Sequence, residues 1–161
     1  MSHFPRTVVS MTSTTLTTIE PRIAVGRAAP APYRAIDAFD RSIDLDPRLR
    51  ELVRIRVSQL NGCAYCLDQH VGDAIAAGEG ARRLATLAAW PESIFFTARE
   101  RAALALTEQV TLIGERGVTD EVWAAATEHF DEAELVQLLW AVIAINAWNR
   151  IAVATHMVPE Q

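Results

Sequence analysis

The sequence predicts an all-α fold in which the helices form an orthogonal bundle. Apolar residues recur three and four positions apart in every segment that shows a period, which is the spacing of one helix face. No hairpin signal joins alternating segments of the strand type. Several segments also start with helix-capping side chains and stop at glycine or before proline. The sequence therefore favours helices throughout.

The chain is expected to divide into a short arm and one domain. Residues 1–18 are rich in Ser and Thr and lack a helical period, so we expect a mobile or extended N-terminal arm. Residues 19–161 are expected to form a single all-α domain, because 161 residues that are 50% hydrophobic suffice for one compact core. The arm has no apolar stretch of the secretory type, which favours a cytoplasmic location.

Four helices are expected in the first half of the domain. Asp46 followed by Pro47 is a strong helix start, with the carboxylate as N-cap and proline in the first turn. Asn61 and Gly62 end that helix and lead into the next one, which stops at Gly78. The predicted spans are about 30–43, 47–61, 63–77 and 80–89, the last ending before Trp90-Pro91.

Three helices are expected in the second half, and each starts with a capping residue. A capping box pairs Thr97 with Glu100, and the apolar pattern that follows extends to Gly114. Thr119 caps a short helix. Asp131 begins the longest helix, which is expected to end before proline 159.

Composition argues against two kinds of partner. The net charge of −5 and the lack of a basic stripe argue against nucleic acid. The most apolar run, residues 135–147, is shorter than the roughly 20 residues that cross a bilayer, so we expect a buried helix and no membrane partner. A local arginine cluster comprises Arg48, Arg50, Arg54 and Arg56. It is expected to form a solvated helix face, or else to make the electrostatic potential at the neighbouring thiols more positive.

The chain's two cysteines, Cys63 and Cys66, form a Cys-X-X-Cys pair directly after the Asn61-Gly62 turn. In the first turn of a helix, unpaired backbone N–H groups and the macrodipole favour thiolate, and thiols in such pairs can have pKa values of about 3.5–7.5. A pair this close cannot close a useful structural loop, so it indicates redox or metal chemistry in a reducing compartment. His70 follows on the same helix face.

Glu51 joins this group through a distance argument. If the two helices around Gly62 pack antiparallel, Glu51 lies about 15 Å from the turn and His70 about 11 Å, at ~1.5 Å per residue. The axial mismatch of about 4–5 Å is within reach of a glutamate side chain or one bridging water. The spacing predicts a carboxylate that holds an imidazole next to a nucleophile, which is the arrangement of covalent catalysis.

These residues carry a family resemblance. The pattern Glu-x11-Cys-x2-Cys-x3-His resembles the motif of the alkylhydroperoxidase D-like members of the carboxymuconolactone decarboxylase superfamily. The surrounding Gln59-Leu-Asn-Gly-Cys-Ala-Tyr-Cys and the later Ile145-Asn-Ala-Trp-Asn-Arg150 are also similar to single-domain proteins of that group, from about residue 31 to 159. The resemblance implies the alkylhydroperoxidase D-like type of helical bundle. Some peroxidase members have a histidine between the cysteines, where this chain has Ala64-Tyr65.

The resemblance also implies an activity and a role for each residue. It implies that the protein is a thiol-dependent hydroperoxide reductase, or a related disulfide oxidoreductase, that needs no cofactor and no metal. Cys66 would attack the hydroperoxide, Cys63 would resolve the sulfenic acid and donate a proton, and Glu51 and His70 would relay protons. The implied partners are a hydroperoxide, a dithiol reductant such as a lipoyl-bearing protein, and further copies of the chain in a trimer or hexamer.

Other interpretations of the cysteine pair and its neighbours stay open. The pair could belong to a structural metal site with ligands from Cys63, Cys66, His70 and Glu51, although a second Cys or His pair is missing. A cofactor-free decarboxylase is allowed by the superfamily, and two small buried thiols without a function are a further alternative. Three polar residues near the end of the last helix either satisfy buried carbonyls or line a subunit contact, and the structural role is favoured; they are Asn146, Asn149 and Arg150.

Overall fold

The computed structural model describes residues 19–159, and all regular secondary structure in this range is helical. The arm predicted for residues 1–18 lies outside the described residues. The predicted all-α bundle is confirmed. In chain order the helices are α1 Val25–Ala28, α2 Pro30–Arg41, α3 Pro47–Asn61, α4 Ala64–Ala76, α5 Ala81–Thr86, a 3-10 helix Leu87–Glu92, α6 Ala98–Thr111, α7 Ile113–Arg116, α8 Asp120–Thr127 and α9 Glu132–Thr155.

The helix starts predicted from capping residues are confirmed. Asp46 accepts a hydrogen bond from the Leu49 backbone N–H at 2.9 Å, and Pro47 occupies the first turn of α3. Thr97 and Asp131 each form a complete capping box, at the starts of α6 and α9. Because these caps satisfy backbone N–H groups that the helix itself leaves unpaired, they fix where each helix begins.

Two helix ends differ from the prediction. The helix predicted to end at residue 89 ends at Thr86, and the 3-10 helix that follows to Glu92 is kinked at Ala89, whose φ of −115° and ψ of 32° are not helical. The Arg101 guanidinium donates to the backbone carbonyls of Trp90, Pro91 and Ser93, a long-range contact that local sequence signals do not show. Helix α6 ends at Thr111 rather than Gly114, since Leu112 leaves helical geometry and a separate turn follows. Helix α1 was not predicted.

Helix α3 lies at the centre of the bundle and packs against α4, α6 and α9. Its residues Val53 and Val57 are fully buried in one core cluster, which also holds the inner side of α9. Leu52 and Ile55 face a second cluster, beneath α5 and the 3-10 helix. Burial on both sides makes α3 a rigid support for any polar side chain it carries.

Helix α9 has one buried and one exposed apolar side. Leu138 and Val142 are fully buried, whereas Trp140 and Ile143 are exposed. By length and composition alone, its 24 residues would suffice to span a membrane, a test that core helices of soluble proteins also pass. The run 135–147 lies within this helix and is buried on one side only, and the absence of a membrane partner stays a prediction.

Candidate active site

The two thiols sit where α3 turns into α4. Gly62 ends α3 in the left-handed conformation, with φ of 65°, and the chain reverses there as predicted. Cys63 is the N-cap of α4 rather than a residue of its first turn, and its Sγ accepts the backbone N–H of Cys66 at 3.3 Å. The two sulfurs lie 2.7 Å apart as free thiols, and both residues are buried.

The contact between the sulfurs distributes charge unequally. The Cys66 side chain donates to the Cys63 sulfur, which lowers the pKa of Cys63 to about 7 in spite of burial. The same contact, together with burial, raises the pKa of Cys66. The pair therefore titrates as a unit in which Cys63 is the more acidic sulfur, and Cys66, which the resemblance names as the attacking group, is the less acidic one.

The predicted contact between Glu51 and His70 is present. Glu51 projects from α3 and His70 from α4, and the carboxylate Oε2 lies 2.9 Å from the imidazole Nδ1. Burial alone would raise the pKa of Glu51, but the His70 hydrogen bond and the charges of Arg54 and Arg50 outweigh it and lower the pKa. Because the carboxylate is ionised, Nδ1–H is the donor, which leaves Nε2 as the proton-accepting nitrogen.

A buried arginine completes this charged group. Arg54 donates to Glu51 at 3.0 Å and to Asp40 of α2 at 2.8 Å, and only 8% of the residue is exposed. The expectation of a solvated arginine face is wrong for Arg54, because two carboxylates draw its guanidinium inward. Arg54 follows Glu51 by three residues, a spacing that brings two side chains together on a helix, so the sequence indicates the Arg54–Glu51 ion pair. Nothing in the sequence singled out Asp40.

A network of neutral side chains reaches the thiols from α9. Asn149 is 1% exposed, accepts from Asn61 at 2.9 Å and donates to Ser58 at 3.1 Å. Asn149 also acts to lower the pKa of both cysteines, although the sulfur contact and burial outweigh this effect at Cys66. Asn149 therefore has the structural role expected from the sequence and in addition influences the acidity of the two cysteines.

Cys66 and His70 line one cavity of about 180 Å³. Helix α2 supplies one wall, with Tyr33 and two aspartates, and α9 supplies another through Trp148. Arg54 also reaches the lining, bound to Asp40. The structure thus brings the nucleophile and base predicted from the sequence to one cavity, and Glu51 holds the imidazole from behind.

The zinc-ligand set considered from the sequence is not assembled. Among the described residues, the acidic, histidine and cysteine ligand atoms that lie within 4.8 Å of one another belong to Glu51, His70 and Asp73, and neither thiol joins them. The Arg54 guanidinium already neutralises Glu51, which disfavours a second cation at that carboxylate. This donor set does not fit a thiolate-bound metal.

A helical bundle with a Cys-X-X-Cys pair and a carboxylate-held histidine has known relatives. The model of the Carboxymuconolactone decarboxylase family matches residues 30–109. The uncharacterized protein YdfG of Bacillus subtilis is 42% identical over 119 residues, which cover 74% of this chain and 81% of YdfG. This chain belongs to the carboxymuconolactone decarboxylase family and is an alkylhydroperoxidase D-like protein.

Solved structures support the same assignment. A protein of unknown function from Agrobacterium tumefaciens, described as a candidate AhpD antioxidant defence protein, superposes with a TM-score of 0.85 and 34% identity. The match covers 88% of this chain and 99% of that one. The debrominase Bmp8 shares the fold, with a TM-score of 0.71, 17% identity and coverage of 83% of this chain and 74% of Bmp8. At that identity the likeness concerns the fold alone.

Proposed function

We propose that this protein is a thiol-dependent hydroperoxide reductase that uses Cys66 and Cys63 as its redox pair. One observation carries the proposal: two free thiols 2.7 Å apart, one of which shares a cavity with a histidine held by a buried carboxylate. A pair at this separation can close to a disulfide with little movement of the backbone. A cavity of about 180 Å³ next to Cys66 suits a small hydroperoxide.

The first half of the reaction oxidises Cys66. The Cys66 proton passes to Cys63 across the short sulfur contact, and the Cys66 thiolate attacks the distal oxygen of ROOH. The O–O bond breaks, Cys66 becomes a sulfenic acid, and the alkoxide takes the proton of Cys63 through His70 to leave as ROH. The lowered pKa of Cys63 makes that thiol a ready proton donor to an alkoxide.

The second half closes the disulfide. The Cys63 thiolate attacks the sulfur of the Cys66 sulfenic acid and expels hydroxide, which a solvent proton delivered by His70 converts to water. Glu51 orients the imidazole and stabilises its protonated form while the proton is in transit. The resulting disulfide must then be reduced by two electrons from outside, for which a dithiol is the proposed donor. A reducing cytoplasm is the proposed setting.

The proposal includes self-association through α9. Val136, Trp140 and Ile143 lie on one side of this helix, four and three residues apart, and each is exposed. A contiguous apolar stripe of this kind marks an interaction surface, and a second copy of the chain carries the same stripe. We propose a homo-oligomer, a trimer or hexamer, and a monomer of about 18 kDa in light scattering at micromolar concentration would contradict it.

The proposed function predicts different outcomes for the two cysteines. Cys66→Ser should abolish hydroperoxide consumption, because the attacking sulfur is gone. Cys63→Ser should consume one equivalent of hydroperoxide and retain a sulfenic acid on Cys66, since no sulfur resolves it. The measurement is dimedone labelling followed by peptide mass spectrometry, with tert-butyl hydroperoxide as substrate.

Either of two outcomes would count against this assignment. A sulfenic acid found on Cys63 in the Cys66→Ser variant would exchange the roles of the two sulfurs, which is the outcome that the resting charge on Cys63 would favour if charge alone decided. Wild-type protein that keeps both thiols after excess hydroperoxide would refute the peroxidase function itself.

A further inference from the structure

The two sulfurs of the redox pair line different cavities. Cys66 lines the cavity that holds His70, whereas Cys63 lines a second cavity of about 360 Å³ at the C-terminal end of α9. Tyr65 and Met157 contribute to both cavities and lie between them. Both cysteines are buried, and the disulfide proposed for the catalytic cycle would therefore have a different cavity next to each of its two residues.

We propose that the second cavity is the binding site of the reductant, an aliphatic dithiol, which attacks the Cys63 sulfur of the disulfide. The inference rests on the function proposed above. It assigns the hydroperoxide to the Cys66 cavity and the reductant to the Cys63 cavity, so that the two substrates of the cycle use separate sites.

The lining of the second cavity selects the chemistry of its occupant. Of the described residues that line it, the polar ones are Cys63, Tyr65 and His156, and none is acidic, lysine or arginine. A hydrocarbon chain that ends in two thiols satisfies such walls, whereas a peptidyl thiol with several charges would lose its hydration without compensation. The other lining residues are Ile19, Gly62, Ala64, Ala152, Val153, Met157, Val158 and Pro159.

The geometry of the pair also favours attack at Cys63. When a substrate thiolate bonds to the Cys63 sulfur, the disulfide bond breaks and Cys66 leaves as thiolate into the cavity of His70, which protonates it. The second thiol of the substrate then attacks the mixed disulfide, releasing Cys63 and a cyclic disulfide. Two electrons and two protons move from the dithiol to the protein, so no further reactant is needed.

The low pKa of Cys63 does not oppose this direction. A sulfur of low pKa is normally the better leaving group, which would direct attack to Cys66 instead. However, the pKa of Cys63 is lowered chiefly by the S–H of Cys66, a donor that exists only in the reduced pair. In the disulfide that donor is absent, and access from the second cavity decides which sulfur is attacked.

The test measures reduction of the disulfide without any hydroperoxide. Protein oxidised with diamide is mixed with dihydrolipoamide, and thiol release is followed in a single turnover. Val153→Glu places a carboxylate in the wall of the second cavity at a residue that is 46% exposed, so the fold should tolerate it. Because the carboxylate repels an incoming thiolate, the second-order rate should fall about tenfold or more.

Two further variants serve as controls. Ile75→Glu makes a similar change at an exposed residue of α4 that lines neither cavity, and its rate should match wild type. Gln69→Trp narrows the Cys66 cavity and should slow disulfide formation by tert-butyl hydroperoxide while leaving reduction by dihydrolipoamide unchanged. Equal rates for Val153→Glu and Ile75→Glu, or slow reduction in Gln69→Trp alone, would overturn the proposal.

Failure here is distinguishable from failure of the proposed function. If wild-type protein ignores hydroperoxides, the peroxidase function fails, yet the reduction assay still reports which cavity admits the dithiol. If the protein consumes hydroperoxide but Val153→Glu accepts dihydrolipoamide at the wild-type rate, the function stands and the second cavity is not the reductant site.

Discussion

The two sides of the thiol pair differ in the kind of chemistry they can support. On the side of α3 and α4, Glu51, Arg54 and His70 form a buried charged group with two fixed ion-pair distances near 3 Å. On the side of α9, the buried Asn149 forms a neutral hydrogen bond with the half-buried Asn61 of α3. An imidazole held by a carboxylate can take up and return a proton, whereas an amide can only orient hydrogen bonds. The charged side can therefore move protons, whereas the amide side can only tune the acidity of the thiols.

The largest effect is expected from removing the proton relay. His70→Ala removes the base, and loss of one general base typically costs about 10²–10⁴-fold in rate. Glu51→Gln keeps the shape of the side chain but removes the charge that stabilises a protonated imidazole, so it should also slow turnover sharply. Stopped-flow measurement of disulfide formation with tert-butyl hydroperoxide checks both variants.

The two substitutions should be far from additive. If Glu51 acts through His70, the double variant should be little slower than His70→Ala, because the carboxylate has nothing left to orient. Additive losses would show that Glu51 acts independently of His70. Unchanged turnover and an unchanged thiol pKa in both single variants would leave activation of the thiols to the sulfur contact, Asn149 and the helix N-terminus.

The charged side was largely predictable because it depends on spacing. Residues on two antiparallel helices that share a turn lie at heights fixed by the rise per residue, so the distances of Glu51 and His70 from Gly62 give their separation. That calculation needs no knowledge of the other helices. The same reasoning cannot reach Asp40, which belongs to α2, because the placement of α2 depends on packing between distant segments.

The next effect concerns the stability of the charged side. Arg54→Met removes the cation between Glu51 and Asp40 and leaves two carboxylates facing each other. Breaking a buried ion pair by deleting one partner costs about 3–5 kcal/mol, and this should appear as a lower free energy of unfolding in urea. Adding Asp40→Asn to the variant should recover part of the loss, since one unpaired carboxylate is removed.

Acid should destabilise the wild type through the same group. The pKa of Glu51 in the folded protein lies below its ordinary value of 4.5. The carboxylate therefore contributes stability that is fully present when the pH is above the pKa of the unfolded state. This stability is lost as the pH falls through the lower pKa of the folded state. Glu51→Gln should flatten this part of the stability profile. If the free energy of unfolding falls equally with acid in the wild type and in Glu51→Gln, a group other than Glu51 causes the loss.

A smaller effect is expected on the amide side. Asn149→Leu fills the same space but removes a donor to both sulfurs, so the pKa of Cys63, held low first by Cys66 and further by Asn149, should rise above about 7. The midpoint of iodoacetamide alkylation against pH should therefore move upward. Trp140→Ala, on the exposed side of the same helix, serves as a control for which the midpoint should stay in place.

The amide side could not be predicted from the sequence in the same way. Asn146 and Asn149 stand out as polar residues in an apolar helix, which signals a buried partner but does not say which one. Their partners Asn61 and Ser58 lie more than 80 residues away on α3. Only the packing of α9 across α3 brings these groups to the thiols, and that packing depends on the complementary shapes of two apolar surfaces.

The smallest effect concerns the turn at Gly62, which links α3 to α4 directly before Cys63. The glycine has a φ of 65°, and a Cβ added there would meet no atom within 4 Å, so Gly62→Ala should cost only the conformational penalty of about 1–2 kcal/mol. Gly72→Ala, in the interior of α4 with equal space, should instead stabilise the fold by about 0.5–1 kcal/mol. Urea unfolding measures both changes. If Gly62→Ala also moves the alkylation midpoint of Cys63, the turn holds the sulfur in place as well as reversing the chain.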